Sequence, residues 1–365
     1  MRARELSLPT PGAGLAPPPT MGPILEQGYR TTAGAMRVAT RWPRLRIAVG
    51  RLVPWRLRLS RGGYFRDGID RSVCRAIHRA AARGTLYSFA PPPPLTLVAH
   101  GQGQWAADEY RFRSPFVSHI AERNQAYVRH FRCGARRRPL VIDNPGPTAF
   151  AAVPERHFLG CLLAAGLDVA IPIAPGFRQR CKAGDHRGGW AATVGAALSA
   201  MVQLVHDNVA VEAWARGCGY RTVAVSGIEL GGTVAAVLAA TTARFDAAIA
   251  VLAGAHPGRL WLPPRVPGRA VNRRALERAG LRHARTLVRL FDPVAPVRLP
   301  PPRLRERCAL VGLRFDTLVP AGDVRDLAVH WRVAPLWLGC SHDELPRRAG
   351  ELAAIITRVT LQAAA

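Results

Sequence analysis

Lysine and acidic residues are scarce in this sequence. Lys182 is the only lysine, and 24 acidic residues face 51 basic ones, leaving a net charge of +27. An arginine skew of this kind has a compositional origin in GC-rich coding. Its functional reading is a basic surface that attracts nucleic acid, anionic lipid or acidic protein. The excess is uneven: up to Arg138 there are 24 arginines against 7 acids, so +17 of the +27 lies in that part. Paired cysteines are missing as well. Cys74, Cys133, Cys161, Cys181, Cys218, Cys308 and Cys340 are odd in number and widely spaced, with no C-x-x-C. They point to neither a zinc site nor a disulfide framework, and scattered thiols suit a reducing cytoplasm. The first 20 residues lack the apolar stretch of a signal peptide, being broken by Pro9, Pro11 and Pro17 to Pro19. No uncharged apolar run is expected to span a membrane; the best candidate, Gly231 to Ala255, contains Arg244 and Asp246. There is no Gly-rich phosphate loop, so no cofactor is implied, and no metal. Nor is there a helix-turn-helix signature or zinc spacing to support nucleic-acid binding.

What is present is enough apolar material, 48 % of 365 residues, for a substantial core. Residues 1–35, rich in Pro, Gly, Ala and Thr without periodicity, read as a disordered tail. Residues 36–90 form a basic extension. Within it Arg44-Leu45-Arg46-Ile47 and Trp55-Arg56-Leu57-Arg58-Leu59 interleave charge with apolar side chains. Such a stretch either packs as an arm on the domain or lies against an anionic membrane surface. Residues 69–82 look helical, and Pro91 to Pro94 make a stiff break. The expected main domain, 91–365, opens with strands at 95–100 and 110–116 and a helix at 117–131. Thereafter strands and helices alternate: strands at 140–142, 167–174, 222–225, 247–252, 308–313 and 334–338, helices at 154–165, 191–216 and 231–242. Continuous apolar strands separated by helices predict a mainly parallel, doubly wound α/β sheet covered on both faces. The alternation is suspended over 256–303, where one helical stretch, 273–290, suggests an inserted cap.

The segment Val225-Ser226-Gly227-Ile228-Glu229-Leu230-Gly231-Gly232 runs from strand through a tight turn into a helix. Gly227 and Gly231 flank Glu229 at minus two and plus two, where side chains would strike the neighbouring strand and helix. This resembles the nucleophile elbow of the α/β-hydrolase superfamily, normally G-x-S-x-G. Two further pieces follow in that superfamily's order. Asp316, in Arg314-Phe315-Asp316-Thr317-Leu318-Val319-Pro320, resembles its acid loop and is preferred over Asp323. His342, in Gly339-Cys340-Ser341-His342, resembles the turn carrying its histidine. Asn144-Pro145-Gly146-Pro147-Thr148 sits where an oxyanion loop belongs. Because proline has no N–H, only Asn144, Gly146 and Thr148 can donate there, with Leu230 N–H as the second donor; equally, the same residues make an ordinary turn. The resemblance covers about Leu140 to the C-terminus. It implies an ester-hydrolase type of site and a small ester or acyl ligand.

Glu229 departs from that pattern at the decisive place, since serine is expected there. Three chemistries are compatible with it. A pseudoenzyme results if the carboxylate, favoured at a helix N-terminus, folds into the oxyanion site and pairs with protonated His342. Alternatively Glu229 attacks carbon itself, as an aspartate does in some members of the superfamily. Thirdly, it acts as a base for water, or another nucleophile serves; Ser226, Ser341 and Cys340 are nearby in sequence. Outside these readings stands a basic binding module with no pocket chemistry.

Overall fold

The computed structural model describes residues 64–102, 106–134, 136–146, 152–181, 189–262 and 271–364. The expected tail at 1–35, the Arg-apolar stretch before residue 64 and Thr148 lie outside the described residues. The core is a nine-stranded sheet in the order β1-β2-β3-β5-β4-β6-β7-β8-β9. The strands are β1 (Thr96–Ala99), β2 (Asp108–Arg113), β3 (Gln125–Phe131), β4 (Leu140–Asn144), β5 (Asp168–Pro172), β6 (Val223–Ile228), β7 (Ala247–Val251), β8 (Cys308–Leu313) and β9 (Leu336–Leu338). From β5 to β9 every neighbouring pair is parallel, whereas β1, β2 and β3 form an antiparallel meander joined to β5. The sheet is therefore the mainly parallel α/β arrangement that the strand-helix alternation implies.

Eight α-helices are described: α1 (Arg71–Ala82), α2 (Ala152–Ala164), α3 (Val194–Gly217), α4 (Leu230–Thr241), α5 (Arg273–Arg278), α6 (Ala284–Leu290), α7 (Ala321–Trp331) and α8 (Ala349–Ala364). Val205 and Val209 of α3 and Val234 to Leu238 of α4 pack with Ile142, Val223 and Val225 on one face of the sheet. Phe158 and Leu162 of α2 and Leu352 and Ile356 of α8 pack with Val141, Ala224 and Ile249 on the other. The central strands β4 to β7 are buried along their whole length, which is why they read as unbroken apolar runs. α3 is the one described helix long and apolar enough to cross a membrane, a candidate that the sequence reading placed elsewhere. Its apolar stretch is wholly buried inside the protein, so it is a core helix.

The helix expected over 117–131 is not there. A short 3-10 turn, Ala121–Arg123, is followed by strand β3. Ala126, Val128 and His130 point inward at a spacing of two, and β3 pairs with β2 in register from Asp108↔His130 to Arg113↔Gln125. The period-2 signal, with β-branched and aromatic residues, outweighed helix propensity once a partner strand was in place. The stretch expected as one helix at 273–290 is two, α5 and α6. They are separated at Gly280, whose φ of +81° no helix continues through. These helices, with 3-10 turns at Pro257–Trp261 and Asp292–Val294, lie in the described part of the insertion between β7 and β8. They share a third apolar cluster with Phe65, Ile69, Trp190, Val194 and Leu198.

Candidate functional site

Parallel strands end on one edge, so the loops after β4, β6, β8 and β9 converge there. β6 ends at Ile228, and Glu229 turns the chain into α4 with φ 55° and ψ −111°. This is a costly conformation for a residue with a side chain. It is held by Glu229 N–H donating to the Val251 carbonyl at 3.0 Å and by Thr233 N–H donating to the Glu229 carbonyl at 2.8 Å. The bend brings three backbones into contact. A β-carbon at Gly231 would fall 1.7 Å from the Asn144 carbonyl oxygen. At Gly227 it would fall 2.3 Å from the Gly231 backbone, and at Gly232 2.1 Å from the Val251 carbonyl oxygen. Those are separations that no atom pair sustains, so the glycines are a geometric requirement of the turn.

Glu229, His342 and Asp316 meet, although 113 residues separate the first two. His342 Nε2 lies 2.7 Å from Glu229 Oε1 and His342 Nδ1 lies 2.8 Å from Asp316 Oδ2. Asp316 is fixed from behind, its Oδ1 accepting from the N–H groups of Leu318 (2.7 Å) and Val319 (2.8 Å). Both carboxylates are buried, and the imidazole nearly so. An ionised carboxylate only accepts, so a ring bonded to one at each nitrogen has to donate from both, which is the imidazolium form. Electrostatics agree. Burial alone would push the imidazole down, but the charge of Glu229 and the bonds to Asp316 and Glu229 outweigh it and hold His342 well above its ordinary value.

Asp323, the alternative acid, is engaged elsewhere, accepting from Arg259 at 3.0 Å. Ser226 is buried inside β6 and donates to Asp143 at 2.6 Å. Ser341 caps the turn that follows it, with Glu344 answering. The buried Cys340 thiol is pushed up to about 11 by burial, which leaves it a poor nucleophile at neutral pH.

Gly146, after β4, lies against the elbow. A β-carbon there would fall 2.8 Å from the Ile228 carbonyl oxygen and 3.0 Å from the carboxyl carbon of Glu229. Glu229 thus lays its carboxyl group along the Gly146 backbone. Leu230 is the first residue of α4, so its N–H has no partner within the helix. Asn144 lies within β4, where its backbone pairs with Gly227 of β6, and its side chain forms a reciprocal amide pair with Asn208, at 2.9 Å in each direction. It is a brace between β4 and α3. The Glu229 side chain makes no capping bond to α4; it turns towards His342 instead.

Sequence reading missed the aromatic group beside the elbow. Tyr64 packs edge-on against Trp190 and Trp261, with ring centres 6.1 and 5.1 Å apart, in the cluster on which Leu230 also rests. Burial, with the charge of Glu229 adding to it, pushes the Tyr64 phenol up to about 12. These residues come from three distant stretches, and nothing local in the sequence marks them.

A mainly parallel sheet with a glycine-flanked elbow after a central strand, and an acid and a histidine after later strands, defines the hydrolase-like class of α/β protein. The chain has the α/β-hydrolase fold: it superposes on an acetyl xylan esterase from Paenibacillus sp. R4 with a TM-score of 0.53 and 13 % identity, over 80 % of this chain and 94 % of that one. It is also similar to acetyl xylan esterase 1 from Thermoanaerobacterium sp. JW/SL YS485, with a TM-score of 0.49 and 12 % identity over 82 % and 96 % of the two chains. A bacterial brefeldin A esterase gives 0.47 and 18 % over 80 % and 84 %. No family model and no curated protein matches the sequence.

Proposed function

We propose that this chain is a non-catalytic member of the hydrolase-fold proteins, its elbow closed by an internal ion pair. The observation that carries this reading is the 2.7 Å contact between Glu229 Oε1 and His342 Nε2. In a serine hydrolase that nitrogen is unprotonated and takes the proton of the attacking hydroxyl. Here it donates to a carboxylate, and an imidazolium has no lone pair with which to act as base. The same carboxylate lies along Gly146, where an acyl oxygen would be received, so Glu229 stands in for both nucleophile and ligand. Glutamate reaches about 1.3 Å further than aspartate, one methylene by standard geometry. That extra length lets it close on the histidine, where a shorter carboxylate would stop in front of it.

Assays of the native chain on short acyl esters and on haloalkanes test the reading. The expected result is no turnover above the buffer rate with either class. Turnover that disappears in Glu229→Gln would overturn it in favour of a carboxylate nucleophile or base working with His342 and Asp316.

A further inference from the structure

A second feature lies away from the elbow. α1 carries Arg71, Arg75, Arg79 and Arg83 at a spacing of four, the last at its C-cap, and all four are exposed. Residues at that spacing lie on one face of a helix, one turn above another. Cys74 and Ile77 hold the opposite face against the core.

The insertion runs alongside. The Arg71 guanidinium donates to the Ala279 carbonyl, and His78 Nε2 lies 3.0 Å from the Leu290 carbonyl, so both ends of α1 are tied to the chain between them. That stretch adds Arg278, Arg282, Arg285 and Arg289, all exposed. Among the described residues none of these eight guanidinium groups forms an ion pair, and Glu277 is the only acid between Arg273 and Arg289. These arginines are therefore exposed in the folded chain and have no acidic partner among the described residues.

We propose that this face, α1 with the α5–α6 stretch, docks on the headgroups of an anionic phospholipid membrane. Charge complementarity selects an anionic surface, and three observations favour lipid over nucleic acid. None of the exposed large apolar residues, such as Leu97, Phe315 or Val329, lies in α1 or between Arg273 and Arg289, so there is no stacking platform for bases. The arginines are spread along two neighbouring segments, which suits a continuous charged surface more than a single groove. The chain just before α1 carries the interleaved sequence Trp55-Arg56-Leu57-Arg58-Leu59, the composition of an interfacial segment. Stable membrane attachment takes two signals, and here a basic patch and an apolar-basic segment are neighbours in sequence.

The experiment is co-sedimentation of the full-length protein with vesicles of phosphatidylcholine alone, or with about a third of phosphatidylglycerol, at about 0.1 M and 0.5 M salt. Binding is expected only to the anionic vesicles and only at the lower salt. The quadruple variant Arg75→Glu, Arg79→Glu, Arg282→Glu, Arg285→Glu is expected to bind at least about tenfold more weakly. These side chains are exposed, so its melting curve should match that of the native chain; Gln in place of Glu at the same positions gives a milder version if it does not. Equal binding to neutral vesicles would overturn the proposal. So would a quadruple variant that binds as the native chain does, or a protein that ignores vesicles and is retained by a short nucleic-acid duplex.

Discussion

Glu229→Ser is expected to raise hydrolysis of a short acyl ester by at least about a hundredfold over the native chain. Three consequences of the substitution act together. The hydroxyl would sit on an elbow whose strained backbone is fixed by neighbours and not by the Glu229 side chain, because the bonds to Val251 and Thr233 are main-chain bonds. The charge of Glu229, the largest influence holding the imidazole up, would be gone, so the ring would titrate nearer its ordinary value and be free to accept a proton. The space over Gly146 would be vacated for an acyl oxygen, facing the N–H groups of Gly146 and Leu230. Initial rates on a nitrophenyl acetate, compared with Glu229→Ala, read the result. Equal rates in the serine and alanine variants would show that the remaining geometry cannot support acyl transfer.

His342→Ala is expected to destabilise the fold by about 3–5 kcal/mol near neutral pH, the cost of removing one member of a buried ionic group. Glu229 and Asp316 would then face one another across a space without their shared cation, both buried and both deprived of a donor. Urea unfolding of the variant measures the loss. Adding Glu229→Gln to it should recover part of that loss, since one of the two stranded charges is removed; independent, additive effects would contradict the pairing. The pH dependence has a definite sign. The imidazole of the folded chain is held above its ordinary value of about 6.5, so its contribution is complete below that pH and is lost as the pH rises through the folded value. The gap between native and His342→Ala unfolding curves should therefore narrow on the alkaline side.

The sheet was legible because its buried strands are continuous apolar runs, and the elbow because Gly227 and Gly231 have no substitute. Asp316 and His342 were singled out through chain order, each just after a strand, and their side chains lie 2.8 Å apart. Other parts were not legible, for identifiable reasons. Gln125–Phe131 reads as helix from the sequence, and becomes a strand because β2 is there to pair with it. Asn144 reads as the start of a loop, whereas it ends β4 and its side-chain amide is paired with Asn208, 64 residues away. Tyr64, Trp190 and Trp261 are joined only by folding. The direction taken by the Glu229 carboxylate was likewise open: a helix N-terminus and a histidine both attract negative charge, and only the distances separate them.

The most direct test is a nitrogen NMR titration of the His342 ring in the full-length protein, beside Glu229→Gln. A closed ion pair gives a ring protonated at both nitrogens at neutral pH, with a transition well above about 6.5 that moves down in the variant. A native ring that titrates near 6.5, or one whose transition is the same in both proteins, would contradict the account.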